Sequence, residues 1–168
     1  MQSLPHESLL QLLAEISVAF VGFSMLASVF RANRGDDRVR FADFRNVAET
    51  GLLATLGSLT PLFLHSLGWQ DETIWRCSSG GLAVLWVLGA LAANRRQNFL
   101  RERMIERPIR IGFVHFVSAV VVILGLANAL LPSPSLGGRH LLMLGICLVQ
   151  SAQLFLLAGF EDPGTPAR

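Results

Sequence analysis

The sequence predicts an all-α membrane protein: a bundle of five transmembrane helices, with the N-terminus outside and the C-terminus cytoplasmic. Three observations carry that prediction. First, the long apolar runs are apolar on nearly every face, whereas a soluble core helix keeps a polar face at a period of 3.6. Second, only 15% of the 168 residues are charged and 52% are hydrophobic, with a mean hydropathy of +0.50. Soluble domains typically carry ~25% charged residues. Third, the arginines gather in two of the four loops, and those two loops alternate with two that hold none.

A helix needs ~20 residues at 1.5 Å each to cross ~30 Å of hydrocarbon. Five segments reach that length, at about residues 8–30, 47–67, 73–93, 109–131 and 140–160. Unpaired backbone groups cannot face lipid, so each span is expected to be helical. The first begins in "ESLLQLLAE" and runs without a break to Phe30. "RANRGDDRVRFADFR" separates it from the second, and "GWQDE" separates the second from the third. The third ends in "NRRQNFLRERMIERP", where Pro108 suits the first turn of the fourth helix. Pro132 and Pro134 stop the fourth, and "PSPSLGG" leads into the fifth. Residues 1–161 thus read as one polytopic domain, and the tail at 162–168 as disordered.

Orientation follows from the arginines of the short loops. The first loop holds Arg31, Arg34, Arg38, Arg40 and Arg45. The third holds Arg95, Arg96, Arg101, Arg103, Arg107 and Arg110. Both lie on one side, which the positive-inside rule makes the cytoplasm. Trp69 and Trp75 would then sit in an outer aromatic belt. All fourteen basic residues are arginine, which we read as GC-rich bacterial coding and hence a bacterial inner membrane. The start "MQSLPHESLL" lacks the basic region and cleavage site of a signal peptide.

The basic loops are expected to meet the lipid bilayer, with anionic headgroups as partners. A homo-oligomer or a membrane partner protein is expected as well. No aromatic-basic platform for nucleic acid is present. No HExxH, Walker loop or G-x-S-x-G occurs, and the histidines at 6, 65, 115 and 140 are scattered. No enzyme, metal or cofactor is therefore expected. Cys77 and Cys147 offer neither a disulfide framework nor metal spacing.

The polar groups inside the spans are the candidate sites. A carboxylate at a span centre costs ~2.5–3.5 kcal/mol on insertion scales, so Glu15 needs an explanation. Arg76 lies at similar depth with opposite charge and could clasp it bidentately. Glu15, Arg76 and His65 form an outer candidate set, either an ion pair or an ion site. A lipid-facing Glu15 is the third possibility. A second set could line a polar path or make interhelical contacts: Gln150, Gln153, Ser58, Pro61, His115 and Glu49. Gln150 and Gln153 share a helix face with Ser151 between them. Thr50, Ala54, Ser58, Pro61 and His65 form one small or polar stripe on the second helix. Pro61 should bend that helix and free a carbonyl near residue 57, where Gly57 stands. Glu49 reads as a first-turn acid favoured by the helix dipole, and His115 as a packed histidine. Two functions remain in view. One is a non-catalytic membrane subunit or regulator packing against partner helices. The other is an oligomeric small channel or proton/ion-coupled transport protein.

Overall fold

A computed structural model describes residues 4–32, 38–98 and 108–160. Among these residues the regular structure is entirely helical: α1 (Glu7–Ala32), α2 (Arg38–Ser66), α3 (Asp71–Asn98), α4 (Pro108–Leu130) and α5 (Leu136–Phe160). Four of them contain runs long and apolar enough to cross a membrane, at Glu7–Phe30, Phe44–Ser66, Asp71–Arg95 and Leu136–Leu156. The described apolar run of α4, His115–Leu130, is shorter, although the helix itself has 23 residues. The centres of both arginine-rich loops, at 33–37 and 99–107, and the tail lie outside the described residues.

Two helix starts differ from expectation. α2 opens at Arg38 rather than near residue 47. No glycine or proline interrupts the chain before Gly51, and Arg45 Nε bonds Glu49 Oε1 at 2.9 Å one turn apart. Glu49 is therefore well inside α2 as the acidic half of an i,i+4 pair, not a first-turn acid. α5 opens at Leu136 rather than His140, because the Ser135 carbonyl already accepts the Arg139 N–H at 3.0 Å.

α2 ends in a Schellman turn. Gly68 takes a φ of 79°, its N–H reaches the His65 carbonyl, and the Trp69 N–H reaches the Leu64 carbonyl. A residue without Cβ adopts that φ without strain. The turn delivers the chain to α3 within the short "GWQDE" loop.

α2 and α5 form the middle of the bundle. Of each of their spans 39% is buried, against 17% for α1. α1 packs along α2 and only lightly on α5, whereas α3 packs on α4 and α2. The core joins Leu10, Ile74, Leu82, Val121, Met143 and Leu144. Phe155 of α5 meets Phe20 of α1 and Phe44 of α2 edge-on, at centroid distances of 6.4 and 6.0 Å. Edge-to-face geometry suits the ring quadrupoles. α3 and α4 approach closely at Gly125, where a Cβ would stand 2.9 Å from the Ser79 carbonyl oxygen and 2.7 Å from Ala83 Cβ. Trp69 is exposed at the end of the bundle. Trp75 is not: it is 4% exposed and turned inward.

Candidate functional site: a buried histidine network

The centre of the site is set by a missing donor. Pro61 has no N–H, so the Gly57 carbonyl lacks its helical partner within α2. Both residues are buried. His140 Nε2, from the second turn of α5, lies 2.9 Å from that carbonyl oxygen. A carbonyl can only accept, so Nε2 carries the proton. Gly57 also has to be small, because a Cβ there would meet Leu144 Cδ2 at 2.8 Å and Leu82 Cδ2 at 3.0 Å.

The other face of the ring fixes the rest. His140 Nδ1 is 2.9 Å from Ser79 Oγ of α3. Asn128, in the last turn of α4, sends its two amide hydrogens to the Leu136 carbonyl at 3.0 Å and to Ser79 Oγ at 2.7 Å. The Leu136 carbonyl settles which end of the Asn128 amide is nitrogen. With a neutral imidazole the chain of donors runs one way: Asn128 N–H to Ser79 Oγ, Ser79 O–H to His140 Nδ1, His140 Nε2–H to Gly57 C=O. Four helices meet in it. Ser79, Asn128 and His140 are all 0% exposed. The Trp75 ring lies against the imidazole, with centroids 5.7 Å apart.

A Ser–His pair within hydrogen-bond reach is also how a nucleophile and its base are arranged. Here neither side chain has an open side. Ser79 Oγ already accepts from Asn128, and Nε2 is committed to a backbone carbonyl. What the geometry does is join α2, α3, α4 and α5 at one level.

A second tie joins α2 and α5 nearer their other ends. Ser151 Oγ lies 2.8 Å from Thr50 Oγ1 and 3.0 Å from its own helix's Cys147 carbonyl. Thr50 in turn donates back to the Asn46 and Val47 carbonyls. Ser58 bonds the Ala54 carbonyl within α2. The stripe on α2 therefore faces the bundle, and its hydroxyls are taken up by its own backbone and by α5. Gln150 is buried beside Ser151, yet its Oε1 has no hydrogen-bond partner among the described residues. Ser78 Oγ and Asn128 Oδ1 are buried in the same condition. Gln153 is half-buried. Of this helix's polar set it is Ser151, not Gln150, that reaches across.

The outer set is not brought together. Glu15 is exposed on α1 and makes no hydrogen bond or ion pair with a described residue. Arg76 is paired instead with Glu72, Nη2 to Oε1 at 2.7 Å, one turn away on α3. The reason is topological: α1 packs on α2 and α5, so Glu15 never faces α3. His65 lies half-buried in the last turn of α2, and His115 is exposed on α4.

Asn128 and His140 belong to no sequence motif, and nothing local to either residue singles it out. Pro61 was the signal that pointed to the site, since it named the carbonyl that needed a donor. Above the network an open cleft of about 590 Å³ is lined by His6, Asp71, Glu72, Trp75, Ser135 and Gly137 among others. No three His, Cys, Asp or Glu side chains among the described residues gather closely enough to hold a metal ion. No protein-family model, no curated protein and no solved structure matches the chain.

Proposed function

We propose that this chain is a small integral protein of a bacterial inner membrane that crosses it five times, N-terminus outside and C-terminus in the cytoplasm. It acts there as a non-catalytic subunit or regulator that packs against the helices of a partner. The observation that carries this reading is the closed histidine network. Ser79, Asn128 and His140 bond helix to helix, at 0% exposure and among apolar side chains, rather than lining a reactive or conducting site. Large apolar residues meanwhile line the outside of every described helix, Phe23, Phe63, Leu88, Phe116 and Val149 among them. The arginine count of the loops supports the orientation, and the 23-residue length of α4 supports a fifth crossing.

The reading is tested by extracting the protein with its native lipids and measuring the particle's protein mass, beside proton and cation flux in proteoliposomes. A defined mass above that of the single chain, with no flux, is expected. Flux above protein-free vesicles would favour a second reading, an oligomeric channel or proton/ion-coupled transport protein. The feature that favours the second reading is the set of buried acceptors without partners, Gln150 Oε1, Asn128 Oδ1 and Ser78 Oγ, which water in a path would satisfy.

A further inference from the structure

Glu15 stands eight residues after Glu7, the first residue of α1, and so about 12 Å along the helix axis. That is well inside the Glu7–Phe30 apolar span. Its carboxylate is exposed, without a partner among the described residues. Ala19, Gly22 and Leu26 continue the same face at helical spacing, and all are exposed. A Cβ on Gly22 would meet nothing within 4 Å. Another helix can therefore come close to the α1 backbone just below the carboxylate, as small residues permit in membranes.

The charge decides what kind of helix that is. The chain's own cations at this end are not placed to meet Glu15. Arg76, at similar depth, is already paired with Glu72 on α3, whereas α1 packs on α2 and α5, and Arg139 is only three residues into α5. A second copy, inserted in the same orientation and meeting this face about a two-fold axis along the membrane normal, would set Glu15 against Glu15. The complement has to come from elsewhere. We propose that the Glu15–Ala19–Gly22 face docks one transmembrane helix of a partner protein that carries an arginine or lysine at the depth of Glu15. This rests on the reading of the chain as a membrane subunit, and names the chemistry of its partner. In lipid the ion pair supplies register and partner choice, because a shift of one turn parts the charges by about 5.4 Å.

The test uses the full-length protein in liposomes with dye-labelled polyleucine–alanine transmembrane peptides, read by energy transfer. One peptide carries a single arginine about 12 Å along the helix from its outer end, one carries it a full turn deeper, and one carries leucine there. The matched arginine peptide should bind at least tenfold tighter than the leucine peptide. Glu15→Gln should remove that preference, and Gly22→Leu should weaken binding of all three. Equal binding of the peptides, no binding, or a preference that survives Glu15→Gln overturns the proposal. Energy transfer between copies of the protein that Glu15→Gln abolishes overturns it too, in favour of self-association. A separate measurement guards the underlying reading. Ala19→Cys, in a Cys77→Ser background, is treated with a lipid-permeant maleimide in native membranes and after purification. Protection confined to native membranes means that the face is covered there whatever the peptides do. Equal reactivity in both means that the subunit reading itself fails.

Discussion

His140 and Pro61 act on the same atom from opposite directions: the proline withholds a hydrogen from the Gly57 carbonyl and the histidine supplies one at 2.9 Å. This makes the two residues energetically coupled although their side chains play no common chemical role. Removing His140 leaves the buried Gly57 carbonyl without a donor and the Ser79 O–H without an acceptor, and opens a cavity, so His140→Ala should cost about 3 kcal/mol. In a Pro61→Ala background the residue 61 N–H can serve Gly57 instead, and the same change should cost about 1 kcal/mol less. A double-mutant cycle on thermal stability in detergent checks this. Strict additivity would mean that the carbonyl does not matter.

The direction of the donor chain gives a sharper test at Asn128. Asn128→Asp is nearly isosteric but places a carboxylate oxygen where an N–H now faces the Leu136 carbonyl at 3.0 Å. It should destabilise more than Asn128→Ser, by about 1–2 kcal/mol. Equal melting temperatures for the two variants at neutral pH would show that the amide is not the donor there.

The second α2–α5 tie should be the weaker one. Ser151 and Thr50 each keep a carbonyl of their own helix within reach. Ser151→Ala should therefore lose only ~0.6 kcal/mol, the typical size of an interhelical bond in a membrane. A loss as large as that of His140→Ala in the same unfolding assay would reverse this ranking.

Close packing predicts an asymmetry between two glycines. Gly125→Ala pushes a methyl against the Ser79 carbonyl and Ala83, on backbone that cannot swing away. It should cost about 2 kcal/mol and disturb the network through Ser79. Gly81→Ala meets nothing within 4 Å and should be neutral or stabilising by up to ~1 kcal/mol, as a helix interior prefers alanine. Melting curves of the two variants decide.

Orientation is open to cysteine labelling in a Cys77→Ser background. Gln70→Cys and Ser135→Cys should react with an impermeant maleimide in spheroplasts. Asn94→Cys should react only after permeabilisation. Labelling of Asn94→Cys from outside would invert the topology.

The helices were legible because length and apolarity suffice to define a span. The site was legible only in part. Pro61 announced a free carbonyl at Gly57 from the sequence, since the missing N–H is a property of one residue. Its donor was not legible, because His140 is 83 positions away and no local pattern links them. Glu15 shows the opposite limit. Matching it to Arg76 by depth ignored rotation about the helix axis. Rotation is what an all-round apolar helix does not encode, since lipid and protein interior are equally apolar solvents for it. The early start of α2 was hidden by its arginines, which mark a topological side whether or not the chain there is helical.

The wait for a donor also has a direction in time. The ribosome makes Gly57 and Pro61 long before it reaches His140. For that interval α2 can lie in the bilayer with an acceptor its own helix cannot satisfy. The helix that brings the missing proton is made after the three others that meet it. A nascent chain that stopped after α4 would hold four helices around an unanswered carbonyl. α5 thus closes the network: until it is made, the Gly57 carbonyl is a polar flaw in an apolar interior, and the four helices are not yet tied at one level.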